Sequence, residues 1–181
     1  MPPTLFVHFR DSGCSRCQSN DLYTTGAIYF VASHSILAGV RSSMSEQNKT
    51  LIRGFINSVN SRDWEHLRML LVPHFVRHSY AAGDPEVRSA NELIDFLKNE
   101  CTTFPDAQET LLDLVAEDEK VAVRSHFCGT QLGCMGSYSP SGKVLRATTL
   151  AIYRLEGGRI AEAWVEWDNL HGLRQLGHHR D

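Results

Sequence analysis

The chain has 181 residues, 42% hydrophobic and 22% charged, with a formal net charge of -3 at pH 7; these values describe one globular domain with enough apolar material to bury a core. That balance leaves no basic footprint for nucleic acid, and no apolar run reaches the roughly 18 residues of a membrane span. The five cysteines are odd in number and irregularly spaced, so no secreted disulfide framework is expected and reduced thiols in a cytoplasmic setting are.

Residues 1–43 carry no clear periodicity. They hold Cys14-Ser15-Arg16-Cys17 and an apolar stretch from Gly26 to Val40 broken by His34 and Ser35. A lone CxxC lacks the second ligand pair of a zinc site. The apolar stretch starts too far from the N-terminus, after the acidic Asp21, for a targeting peptide. The expected organisation is therefore a poorly patterned extension over 1–43 and a single folded domain over 44–181, where Met44-Ser45-Glu46-Gln47 reads as a second start with a helix beginning at once.

Leu51, Ile52, Phe55, Ile56 and Val59 recur at helical spacing and predict an amphipathic helix that stops around Asn60-Ser61-Arg62. Asp63 is placed to cap a second helix carrying Trp64, Leu67, Leu70 and Leu71 inward and ended by Pro73. Ser89-Ala90-Asn91-Glu92 matches a capping box ahead of a third helix with Leu93, Ile94, Phe96 and Leu97 inside. The charges of that helix, Glu92, Asp95, Lys98 and Glu100, read as its wet face. Phe104-Pro105-Asp106 then opens a region of strands over Glu109 to Val115, Lys120 to Thr130, Val144 to Leu155 and Arg159 to Trp167. Helices followed by antiparallel strands predict an α+β fold with the helices packed on one face of a sheet.

Gly157-Gly158 reads as a two-residue hairpin loop. That loop would set Tyr153 opposite Glu162, Ala151 opposite Trp164, Thr149 opposite Glu166 and Ala147 opposite Asp168. Period two along the last strand puts Ile160, Glu162, Trp164, Glu166 and Asp168 on one face and Ala161, Ala163, Val165 and Trp167 on the other. The first face ends in a carboxylate beside an indole, an arrangement that raises a carboxyl pKa toward the range of a general acid or base. The apolar face, continued by Leu150 and Ile152, needs cover, so a homodimer through the outer sheet face is expected, or else cover by the N-terminal extension.

Trp164 and Asp168 four apart, followed by Leu173-x-Gln175-Leu176-Gly177, together with Phe75-x-x-His78, Gly129-Thr130-x-x-Gly133-x-x-Gly136 and Ser139-Pro140-x-Gly142-Lys143, resemble the SnoaL-like polyketide cyclases and their ester-cyclase relatives over roughly residues 45–177. The resemblance implies a nuclear-transport-factor-two-like cone, a curved antiparallel sheet around a deep pocket closed by the three N-terminal helices. It also implies catalysis without metal or organic cofactor on a polyketide-like small molecule, with Asp168 in the position of the family's acid and base. Phe127-Cys128 ahead of Gly129-Thr130 and the long N-terminal extension depart from the family's pattern.

A carboxylate of raised pKa suits that chemistry, because the methylene between two carbonyls of a poly-β-ketone is acidic and its enolate is stabilised by hydrogen-bond donors. The expected catalytic residues are Asp168 as general acid and base, with His126 or His78 donating a proton to the developing alkoxide. Arg124 is the expected partner of the enolate or of Asp168, and Tyr153, Trp164 and Thr149 the expected substrate-facing wall. Each has a structural alternative: Arg124 paired with Glu162 or Glu166, His78 capping a chain turn, Trp164 in the core. His178-His179 reads as a solvated tail, and Cys101, Cys128 and Cys134 lack an adjacent base. The expected function is a cofactor-free cyclase of secondary metabolite biosynthesis closing a ring by aldol addition. The alternatives are an isomerase or hydratase of the same fold and a non-catalytic ligand-binding accessory protein.

Overall fold

The computed structural model describes residues 44–81 and 84–179; Cys14, Cys17 and the Gly26 to Val40 stretch lie outside the described residues. Residues 44–61 form helix α1. Ile52, Phe55 and Ile56 are buried on its inner face, as their three- and four-residue spacing requires. The helix stops where Arg62 takes a φ of 60°, and Asp63 caps α2 (Trp64–Met69) by accepting from the His66 N–H at 3.0 Å.

Here the chain departs from the expected second helix. Residues Leu71–His78 are strand β1, not the end of a helix terminated by Pro73. Leu71, Val72 and Phe75 are buried without clean alternation, because the pairing of β1 is irregular between Leu71 and Val76. Pro73 sits inside that irregular stretch, and β1 is an edge strand, the setting in which a residue without an N–H is tolerated in a sheet.

Helix α3 (Ala90–Thr103) begins at Ser89, whose side chain accepts from the Glu92 N–H at 3.2 Å. Glu92 reaches back to the Arg88 N–H at 2.7 Å, a capping box displaced by one residue. The strands β2 (Gln108–Glu117), β3 (Lys120–Thr130), β4 (Val144–Glu156) and β5 (Arg159–Trp167) follow, then α4 (Asn169–Leu176). The sheet runs in the order β1-β5-β4-β3-β2. It is curved and unclosed, and antiparallel except at one edge, where β1 pairs with β5 in parallel. Helices α2 and α3 pack against β1 and α4 against β4. Among the described residues no helix is long and apolar enough to cross a membrane.

The register of the β4–β5 hairpin decides which residues face inward. Glu156 pairs with Arg159 and Leu155 with Ile160, as a two-residue Gly157-Gly158 loop dictates, but Arg154 pairs with Glu162. Ala161 is thus an extra residue, and everything beyond it shifts by one: Tyr153 stands opposite Ala163, Ile152 opposite Trp164 and Thr149 opposite Trp167. Ile160 and Ala161 are consequently buried in succession, the mark of a bulge that turns the following side chains over. Ala161, Ala163, Val165 and Trp167 face the core, and Glu162, Trp164 and Glu166 face outward. The expected opposition of Tyr153 to Glu162 and Thr149 to Glu166 is corrected accordingly, as is the placing of Val165 and Ala163 on the outer surface.

Inserting one further residue after Ala161 turns the following side chains over, puts Trp167 and Val165 outside and brings Glu166 toward the core. The insertion variant is expected to lose its cooperative urea transition, whereas a sharp transition with unchanged tryptophan emission would contradict the register argument.

Candidate active site

The inner face of the sheet, the inner faces of α1 and α3 and the chain before α3 surround a cavity of about 370 Å³, within the roughly 300–1,000 Å³ usual for small-molecule sites. Its wall is aromatic: Phe55 comes from α1, Phe75 from β1, Phe96 from α3, Phe127 from β3 and Trp167 from β5, with Phe104 after α3. Gly172 of α4 admits the Trp167 indole, since a Cβ there would lie 2.5 Å from the ring. Tyr153 and Thr149 of β4 also line the cavity. Four charged side chains enter this wall: Arg77, Asp84, Glu100 and Glu109.

Glu100 arrives there by helical spacing. Leu93, Phe96, Leu97 and Glu100 share one side of α3 and all line the cavity, so the expectation that Glu100 belongs to the wet face is corrected. Although the residue is half-buried by surface area, its carboxyl is enclosed by protein. That enclosure pushes its pKa from the ordinary 4.5 to about 7, and Glu109 and Asp84 add to the rise while Arg77 opposes it. Glu109, on the inner face of β2, is also raised by burial, with the Ser125 hydroxyl opposing the rise. Burial, reinforced by Glu109, pushes the Tyr153 phenol up.

Arg77 is the buried cation of the site, its side chain only 9% exposed. Its Nη2 donates to Asp84 Oδ2 at 2.8 Å, and the Ser79 hydroxyl donates to the same oxygen at 2.7 Å. The guanidinium carbon lies 4.7 Å from the centroid of the Phe96 ring, and Nη1 is buried without a hydrogen-bond partner among the described residues. A buried guanidinium N–H left unpaired is costly, so this wall presents an unsatisfied donor. Among the described residues no group of three or more His, Cys, Asp or Glu is placed to hold a metal ion.

Of the residues singled out from sequence, Tyr153 and Thr149 are in the cavity wall and the others are not. Asp168 is exposed at the surface, where it caps α4 by accepting from the His171 N–H at 2.9 Å. Trp164 lies on the outer face, its ring stacked on His78 at 5.2 Å with planes 12° apart. His78 meets Glu162 Oε1 at 2.8 Å, and Arg154 donates to Glu162 Oε2 at 2.9 Å. Arg154 first and then His78 hold the Glu162 carboxyl below its ordinary range. Arg124 is half-exposed and paired with Asp113 at 2.6 Å, rather than with Glu162, Glu166 or Asp168. His126 sits on the outer face of β3 between Thr110 and Thr148. The expected grouping of Asp168, His126, His78, Arg124 and Trp164 around one pocket is therefore corrected: the single-residue shift at Ala161 turns Trp164 and Asp168 outward, and Arg124 and His126 alternate with the buried Val123 and Ser125 and so face outward whatever the register of β5.

The cavity's charged groups had sequence signals of their own. Glu100 stands seven residues from Leu93 and three from Leu97 on an otherwise apolar helix face. Glu109 alternates with Leu111 on β2. Arg77 is two residues from the buried Phe75, a signal that Pro73 hides because in sequence it marks residues 71–73 as the end of a helix.

Between pH 4.5 and about 7 the folded chain keeps a proton on Glu100 that the unfolded chain has released, so stability falls as pH rises through that window. The loss is on the order of 3 kcal/mol. Urea melts are expected to show it in the parent chain and to show a much shallower decline in Glu100→Gln, which becomes the more stable of the two above neutrality. Parallel pH slopes would contradict the enclosure of this carboxyl.

Comparison with known proteins agrees with this architecture. The family model of the SnoaL-like polyketide cyclases matches residues 49–176. IdmH from Streptomyces antibioticus, provisionally assigned as a polyketide cyclase, is 30% identical with a TM-score of 0.64, the match covering 72% of this chain and 99% of that one. TsrD from Streptomyces laurentii is 28% identical with a TM-score of 0.66, over 74% of this chain and 97% of that one. AclR from Streptomyces galilaeus, provisionally assigned as a hydroxylase, shares the fold at 23% identity and a TM-score of 0.65, over 76% of this chain and 89% of that one. No match was found among curated proteins. With the family model spanning most of the folded domain, the chain belongs to the SnoaL-like polyketide cyclase family, which supports a cyclase-type function.

Proposed function

We propose that the chain closes a ring by intramolecular aldol addition in a polyketide-like substrate held in the cavity, without a metal or organic cofactor. The observation that carries this reading is a carboxyl with a pKa pushed to about 7, enclosed by aromatic side chains and accompanied by a second carboxyl and a buried guanidinium with a free donor. Such a pair serves both halves of an aldol closure. One carboxylate takes the proton from the methylene between two carbonyls. The resulting enolate carbon attacks a second carbonyl of the same chain, forming the C–C bond, and the electron pair of that C=O becomes an alkoxide. The protonated carboxyl delivers its proton to the alkoxide. Each closure moves one proton from carbon to oxygen and leaves the two carboxyls with exchanged protonation, which proton exchange with solvent resets. Arg77 Nη1 supplies a donor for the enolate oxygen, and the aromatic wall holds a folded, unsaturated chain while excluding water. The provisional assignment of IdmH as a polyketide cyclase supports a place in secondary metabolite biosynthesis.

Glu100→Gln and Glu109→Gln are each expected to lower kcat for ring closure by roughly 10²- to 10⁴-fold with little change in KM. Asp168→Asn keeps a good N-cap and is expected to stay within a few-fold of the parent. Mass spectrometry of unclosed intermediates accumulating in a strain that carries each variant measures this. Full turnover in Glu100→Gln, or collapse confined to Asp168→Asn, overturns the assignment. Retained binding with no closure by the parent chain favours an accessory binding role instead.

We propose further that a second copy of the chain covers the outer sheet face. One row of residues crosses all five strands there, from Val115 through Ala122, Ile152 and Trp164 to His78, with Val115, Ile152 and Trp164 exposed at 67%, 46% and 36%. The flanking charges are already paired within the chain, Arg154 with Glu162 and Arg124 with Asp113, so they add no repulsion between like copies. Analytical ultracentrifugation is expected to give a dimer for residues 44–181 and a monomer for Ile152→Glu; a monomeric parent contradicts it.

A further inference from the structure

Glu109 is held at both its peptide and its carboxylate. It lies on β2, an edge strand, so its outward N–H and C=O have no neighbouring strand. One side chain takes both: Asn60 Nδ2 donates to the Glu109 carbonyl at 2.8 Å, and the Glu109 N–H donates to Asn60 Oδ1 at 2.9 Å. The amide thus imitates one rung of a β-ladder from the C-terminal end of α1. At the other end, the Ser125 hydroxyl donates to Glu109 Oε1 at 2.6 Å. Ser125 is 2% exposed and sits diagonally across the β2–β3 ladder, opposite Leu111.

Protection of an edge strand explains the clamp on the peptide but not the donor on the carboxylate. A hydroxyl that donates to a carboxylate oxygen favours the charged form. Glu100, facing Glu109 from α3, has no such donor among the influences on it; Arg77 from β1 favours its charge, and burial, Glu109 and Asp84 disfavour it. The remaining titratable neighbour of Glu109 is Tyr153 from β4. The two carboxyls therefore sit in unequal surroundings within one cavity.

We propose that Asn60 and Ser125 are positioning residues that divide the work of the two carboxyls, holding Glu109 as the proton acceptor and leaving Glu100 to carry the proton. With Oε1 occupied by Ser125, the substrate's methylene proton goes to Glu109 Oε2, and the alkoxide takes its proton from Glu100. The division of labour rests on the ring-closure reading, but the unequal protonation does not, and the two are tested separately.

Carboxyl ¹³C NMR titration of the folded chain without substrate, with resonances assigned through Glu100→Gln and Glu109→Gln, reads each carboxyl by its own shift. Glu109 is expected to lose its proton at lower pH than Glu100. Ser125→Ala is expected to move the Glu109 titration up by roughly one to two pH units, and Ser125→Thr to restore it. Asn60→Ala is expected to move it in the same direction by less, and to lower kcat for ring closure while leaving KM near the parent value. Ser125→Cys, which keeps the volume with a poorer donor, gives the same reading should Ser125→Ala fail to fold. Glu109 titrating above Glu100 in the parent, or a Glu109 titration unmoved by any of these substitutions while thermal stability falls, overturns the proposal and leaves only edge protection. An intact titration order in a chain that closes no ring overturns the ring-closure reading alone.

Discussion

A single extra residue in β5 governs what this molecule can do. Side chains alternate strictly along a strand, so the insertion of Ala161 into the β4–β5 ladder exchanges the inner and outer faces of the strand beyond it. Without this bulge, strict alternation through Ala161 would turn Glu162, Trp164 and Glu166 toward the core. With it, Ala163, Val165 and Trp167 line the cavity, and Glu162 joins an outward-facing network with Arg154 and His78. Small residues at Ala147, Ala151, Ala161 and Ala163 leave space that larger ones would fill. That space adjoins the cavity against which α1 and α3 pack.

The cavity is a compromise between stability and chemistry. Its walls are aromatic and apolar, which favours folding through burial, yet they enclose carboxyls whose charged forms are poorly solvated. The fold manages the electrostatic penalty in three different ways. Asp84 and Ser79 satisfy one side of Arg77, Ser125 satisfies one oxygen of Glu109, and Glu100 keeps its proton near neutrality. Groups left only partly satisfied are typical of sites that await a ligand, and the unpaired Nη1 of Arg77 is the sharpest case here.

Much of the scaffold was legible from spacing alone, because apolar residues three and four apart in α1 and α3 and alternation in β2 to β5 are driven by burial. Lys120–Thr130 and Arg159–Trp167 are the strands that alternation predicts. Strand β1 was hidden by Pro73, which reads as a helix stop and is in fact accommodated at an irregular sheet edge. The bulge was hidden because a two-residue Gly157-Gly158 turn correctly sets the first two pairs and says nothing of a later insertion; the adjacent apolar Ile160 and Ala161 were its only trace. The site suffered most from this. Asp168 beside an indole in sequence is separated from the cavity by the face inversion, while Glu100 reads as a solvated charge because charged neighbours on α3 mask its place on the apolar side. Tyr153 and Thr149 read as wall residues even in the unbulged register, because that register also keeps the odd-numbered residues of β4 inward.

The most direct test is a crystal structure of the chain with an aromatic 1,3-diketone that cannot close a ring. The account predicts the diketone inside the aromatic cavity, with its oxygens within hydrogen-bond distance of Glu100 and Arg77 and its central carbon next to Glu109. A diketone seated on the outer face beside Asp168, His78 or Trp164, with the cavity empty or filled by side chains, would contradict it.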